Sequence, residues 1–109
     1  MTENYSGKRV FVSGSSSGIG FEIAKRFLGL GCFVGINGRN LSQLDQAAKL
    51  LQSDKLLTCP GDVGVFEEAS VVVENFNGVA GGIDILVCNA GISGTCDWGE
   101  ETASGWLAA

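Results

Sequence analysis

Short, continuously apolar runs alternate along this chain with longer segments whose apolar residues recur at helical spacing. Val10–Val12, Phe33–Ile36, Leu56–Cys59 and Ile83–Cys88 are of the first kind, set off by nearby Gly, Asn or Asp, and read as strands. Ile19–Leu30, Leu41–Leu51 and Val65–Phe76 are of the second kind and read as helices. Strands without polar alternation are expected where helices cover both faces of a parallel sheet. The order β-α-β-α-β-α-β therefore predicts an α/β fold: a doubly wound parallel sheet of about four strands, with right-handed crossovers and flanking helices.

The helical segments carry their own start and stop signals. Ile19, Ile23, Phe27 and Leu30 fall on one stripe, and Gly31 supplies a residue able to end that helix in the left-handed conformation. Asn40 is placed to cap the second helix, with Gln43 three residues on, and Leu41, Leu44, Ala48 and Leu51 are expected to face inward. In the third, Phe66, Ala69, Val73 and Phe76 form the expected inner stripe, with a stop near Gly78. Such stripes are read as core.

Composition narrows the class. At 109 residues the chain has the size of one small domain, and 45% hydrophobic with 17% charged residues is a globular balance. A net charge of −5 leaves no basic face for a phosphate backbone, so neither nucleic acid nor an anionic membrane is an expected partner. No apolar run approaches the ~20 residues of a membrane span, and Met1–Tyr5 lacks the pattern of a signal peptide, so a soluble, cytoplasmic protein is expected. The 4 cysteines form no C-x-x-C pair and the chain has 0 histidines, which argues against a zinc site. Cys32, Cys59 and Cys88 lie in or beside strands and are read as small apolar residues.

The candidate chemistry begins at Ser13-Gly14-Ser15-Ser16-Ser17-Gly18-Ile19-Gly20, directly after the first strand and at the start of the first helix. Gly14 can end the strand in a geometry a Cβ resists, Gly18 can admit a pyrophosphate to the backbone, and Gly20 can let the helix pack closely on the sheet. Amides of such a turn, with the positive end of the helix dipole, suit an anion without a basic side chain. Taken alone, a Gly/Ser-rich segment also fits a plain tight connection.

The spacing G-x-x-x-G-x-G, with Ser13 before it and Ile19 inside it, resembles that of the short-chain dehydrogenase/reductase family. The resemblance implies a Rossmann-type sheet binding a dinucleotide, with Gly14, Ser15, Ser17, Gly18, Ile19 and Gly20 at the cofactor. Three further places at strand ends match it. After the second strand come Asn37, Gly38 and Arg39, where an NAD-binding member is expected to hold an acidic residue against the ribose 2′-hydroxyl. Asn37 is neutral, and the Arg39 guanidinium can pair with a 2′-phosphate, which favours NADP over NAD. After the third strand, Asp62-Val63 is similar to the family's Asp-Val pair, whose carboxylate accepts from the adenine amino group and whose next amide meets the ring. Read without the family, Asp62 is equally a helix cap or turn former, and Arg39 an exposed loop charge. After the fourth strand, Cys88-Asn89-Ala90-Gly91 is similar to the family's Asn-Asn-Ala-Gly with its first Asn replaced by Cys88. There Asn89 is expected to bond neighbouring strand backbones, and Ala90 and Gly91 to keep the surface small beside the cofactor ribose.

The family's catalytic groups are a Ser, a Tyr-x-x-x-Lys pair and an Asn on the helix after the fourth strand. None has a counterpart here: the one tyrosine is Tyr5, and its i+4 neighbour is Arg9. Trp106 resembles a tryptophan that precedes that Asn in relatives, and Glu100–Ala109 reads as the first turns of a further helix. The reading is therefore the dinucleotide-binding half, residues 1–109, of a longer NADP-dependent oxidoreductase acting on a small carbonyl or alcohol, inactive by itself. Relatives often form dimers or tetramers, so the resemblance allows a homo-oligomer for that parent and leaves its oligomeric state open. The alternative is a non-catalytic nucleotide-binding or interaction protein that ends here.

Overall fold

The computed structural model describes residues 5–89. The elements follow in the predicted order: β1 (Arg9–Val12), α1 (Gly18–Gly29), β2 (Phe33–Gly38), α2 (Leu41–Leu51), β3 (Leu56–Pro60), α3 (Phe66–Ala80) and β4 (Ile85–Val87). The sheet has the order β3-β2-β1-β4 with every pairing parallel, so β1 is flanked by Val34 and Ile85 at Val10. This is the incomplete Rossmann-type sheet that the apolar runs predict.

Alternation along the strands sends side chains to opposite faces, and each face has its own cluster. Val10, Val12, Val34 and Ile36 pack with Ala24 of α1 and with Leu44 and Ala47 of α2. Phe11 and Cys59 pack with Ala69, Val72 and Phe76 of α3 on the other face. The Phe76 ring sits edge-on to Phe11 at 5.6 Å and stacked on Phe33 at 5.9 Å. Gly35 makes room for it, since a Cβ there would come within 2.6 Å of the Phe76 ring.

Local signals act as read. Asn40 Oδ1 accepts from the Gln43 N–H at 3.0 Å. Gly31, at φ +88°, ends α1 with its N–H donating to Leu28 O while the Cys32 N–H donates to Phe27 O. The inner stripes differ from expectation. Ile19 is 72% exposed, Leu41 60% and Phe66 76%, while Gly20, Ala24, Ala47 and Val72 take the interior. The first residue of each stripe lies in the opening turn of its helix, and Leu30, last on the α1 stripe, is likewise 44% exposed at the C-cap. α3 also continues past Gly78 to a left-handed Gly81, because Ala80 and Ile83 gain packing against the Phe76 cluster that offsets the roughly 1 kcal/mol cost of a mid-helix glycine.

β4 is shorter than the apolar run because Asp84 has another task. Its Oδ2 accepts from the Arg9 backbone N–H at 2.7 Å and from Arg9 Nε at 2.9 Å, fastening the start of β4 to β1. The hydrogen bonds from the Arg9 side chain and backbone hold the Asp84 carboxyl down at about 2. A carboxyl depressed in the fold contributes stability above its ordinary pKa and loses it as pH falls toward the folded value. Asp84→Asn is therefore expected to be less stable than the parent chain at pH 7, with the two denaturation midpoints converging between about pH 4 and pH 2.

Candidate functional site

The sheet order turns back at β1, so the β1–α1 turn lies at the switch point where ligands enter an open α/β sheet. Gly14 leaves β1 at φ +58° and Gly18 opens α1 at φ +65°. Ser17 stands at the N-cap without a side-chain capping hydrogen bond, and the first turn has no acidic residue. The leading N–H groups of α1 are thus presented outward under a positive helix end, an arrangement suited to an anion. Among the described residues, nothing lies within 4 Å of where a Gly18 Cβ would be. Gly20 is the opposite case: a Cβ there would collide with Gly14 O and with Asn89 Nδ2.

Two asparagines grip the turn. Asn37 Oδ1 accepts from the Gly14 N–H at 3.1 Å, and Asn89 Nδ2 donates to Gly14 O at 3.1 Å. Ser15 is buried and faces inward, its Oγ donating to Val12 O at 2.7 Å and accepting from the Asn37 N–H at 2.8 Å. Ser13 Oγ accepts from the Asn89 N–H at 2.8 Å.

The Asn37 side chain is turned inward. It is buried, with Nδ2 donating to Cys59 O at 2.8 Å and to Gly61 O at 3.1 Å, so it ties the turn to the β3–α3 loop and does not face the crevice. The next residue has that direction: a Cβ on Gly38 would stand 2.9 Å from Ser16 Oγ in the turn.

Beyond Gly38, Arg39 is 78% exposed and brings Nη1 to 3.9 Å from Asp62 Oδ2. Asp62 is itself fastened. Its Oδ1 accepts from the Gly64 N–H at 2.9 Å, and its own N–H donates to Glu68 Oε1 at 2.8 Å. Glu68 carried no signal in the sequence, because a contact six residues away across a loop and a helix start follows no fixed period. The Val63 side chain is buried in the α3 cluster. Ser17, Gly18 and Ile19 are exposed at the mouth, whereas Ala90 and Gly91 lie outside the described residues.

The described cysteines, Cys32, Cys59 and Cys88, are free thiols, the first two buried. Burial pushes the Cys59 thiol up to about 12 and also raises Cys88, beside Asn89. Among the described residues, no helix is long and apolar enough to cross a membrane.

A sequence profile of the family described as short chain dehydrogenase matches residues 8–108. The chain belongs to the short-chain dehydrogenase family. It is 38% identical over 104 residues to a sorbose reductase of Schizosaccharomyces pombe, covering 85% of this chain and 39% of that protein. An L-sorbose reductase structure from Gluconobacter frateurii, complexed with NADPH and L-sorbose, superposes with a TM-score of 0.73 at 39% identity, over 79% of this chain and 34% of that one. A 3-ketoacyl-(acyl-carrier-protein) reductase structure from Brucella melitensis, complexed with NADH, gives 0.70 at 29% identity, over 75% and 33%. This short-chain dehydrogenase sequence spans well under half the length of the curated relatives it matches. Its described residues bring the turn, Gly38, Arg39, Asp62 and Asn89 to one end of the sheet, and turn Ser15 and Asn37 away from it.

Proposed function

We propose that this chain is the cofactor-binding half of a cytoplasmic, NADP-dependent oxidoreductase that interconverts a small carbonyl and an alcohol. The observation that carries the reading is the open, uncapped start of α1 at the switch point, with Arg39 as the cation on its rim. The turn fits a dinucleotide: space above Gly18 admits a pyrophosphate to the amides of Ser17, Gly18 and Ile19. Arg39 would pair with the 2′-phosphate and Asp62 would accept from the adenine amino group. When bound, the dinucleotide supplies or takes a hydride. The residues present here hold and orient it; Tyr-x-x-x-Lys is absent from these 109 residues, so binding without turnover is expected. Ala90 and Gly91 are assigned to the ribose by the family pattern.

The relatives include both an NADPH and an NADH complex, and the NADP reading is supported by the Arg39 guanidinium on the rim. Titration of the full chain with NADPH and NADH, followed by cofactor fluorescence, is expected to show tighter binding of NADPH. Equal affinities would remove the NADP assignment, and binding of neither would remove the functional reading. Gly38→Asp places a carboxylate over Ser16, where it repels a 2′-phosphate and accepts from a 2′-hydroxyl. It is expected to shift the NADPH-to-NADH affinity ratio toward NADH by about tenfold or more, with the small Ser16 side chain rotating aside.

A further inference from the structure

Arg39 and Asp62 face each other across the rim, and they are not equal partners. Asp62 is fixed through three backbone-linked contacts: Oδ1 to the Gly64 N–H, its N–H to Glu68 Oε1, and its carbonyl to the Val65 N–H at 3.0 Å. The preceding Gly61 carbonyl is held by Asn37 Nδ2. Among the described residues, Arg39 is exposed and has no side-chain hydrogen bond of comparable length, and its nearest anionic neighbour is Asp62 Oδ2 at 3.9 Å. The carboxylate therefore sets where the guanidinium rests, and Glu68, bonded to the same loop, adds a second negative charge nearby.

We infer that Asp62 restrains the NADP preference of this site by competing with the cofactor 2′-phosphate for the Arg39 guanidinium, with Glu68 reinforcing the competition; this rests on the NADP reading above. An exposed ion pair is individually weak, but a 2′-phosphate must replace it as the partner of Arg39 while approaching two carboxylates. NADH makes no such exchange. The rim then acts as a graded selector: the same carboxylate that receives adenine in either cofactor subtracts from the gain of the phosphorylated one. Removing its charge while keeping its shape should separate the two effects.

The test is a double-substitution cycle on the full chain, with NADPH and NADH as probes and their affinity ratio as the readout. Asp62→Asn retains an oxygen for the Gly64 N–H and is expected to raise the NADPH-to-NADH ratio about three- to tenfold at low salt. That rise should fall below about twofold near 1 M salt, where the screening length is only about 3 Å. Glu68→Gln keeps an acceptor for the Asp62 N–H and should raise the ratio by a smaller factor, so the charge effect is read even if the first variant folds poorly. In an Arg39→Ala background the Asp62→Asn increment should shrink to the part supplied by direct repulsion between the carboxylate and the 2′-phosphate. Equal weakening of both cofactors by Asp62→Asn would overturn the inference, as would an increment that persists undiminished without Arg39. Failure of the NADP reading is distinguishable, because it shows already in the unsubstituted chain as binding of neither cofactor or no preference for NADPH.

Discussion

Gly20→Val is expected to abolish measurable dinucleotide binding and to lower stability by about 2 kcal/mol. A side chain at this position meets the carbonyl oxygen of Gly14, the amide nitrogen of Asn89 and, at 2.9 Å, the Cα of Ser15. Two of those atoms are backbone of the turn itself, so the clash cannot be relieved by rotating a flexible group. Either α1 lifts from the sheet, losing packing at Ala24, or Gly14 and Ser15 move and the anion-facing amides lose their alignment. Gly18→Ala provides the contrast. With nothing among the described residues within 4 Å and φ at +65°, it carries about 1 kcal/mol of backbone strain but no collision with them, while its methyl intrudes on the space assigned to the pyrophosphate. Thermal unfolding together with NADPH titration distinguishes the two: Gly20→Val should fail in both, and Gly18→Ala mainly in binding.

Asn37→Ala is expected to cost about 3 kcal/mol and to weaken binding, although Asn37 does not face the crevice. Truncation strands the Gly14 N–H and removes the donor shared by Cys59 O and Gly61 O, each loss being of order 1 kcal/mol in a buried setting. The same amide joins the β1–α1 turn to the loop that carries Asp62, so both halves of the site loosen together. Asn37→Asp refines the point. It keeps an acceptor for Gly14 but turns an anion toward two carbonyl oxygens in a buried pocket, which raises the pKa of the introduced carboxyl. A carboxyl raised in the fold favours the folded state when protonated, so the deficit of this variant should shrink as pH falls and grow as pH rises. Urea denaturation at pH 7 and near pH 4.5 measures it; a deficit independent of pH would show that the side chain is not enclosed as described.

What was legible in advance was local. The element order, the Asn40 cap, the Gly31 terminator and the glycine turn each depend on residues within about one helical turn of one another, and that range is printed in the sequence itself. The resemblance of Ser13–Gly20 to a dinucleotide turn belongs to the same class, because its strand-turn-helix context is also contiguous. Other features needed the assembled sheet. Along β2 neighbouring residues point to opposite sides, and only the register of β2 against β1 and β3 decides that Asn37 turns inward while Gly38 looks over Ser16. The outward placement of Ile19, Leu41 and Phe66 likewise follows from how each helix lies on its face, not from its periodicity. The kind of fold and the presence of a glycine turn suited to an anion could be read from the order of residues alone, since these rest on short-range patterning. Which side chains line the site, and the opposition of Arg39 to Asp62 across two separate loops, was decided by tertiary structure, because only the packed sheet brings groups so far apart in the chain within reach of one another.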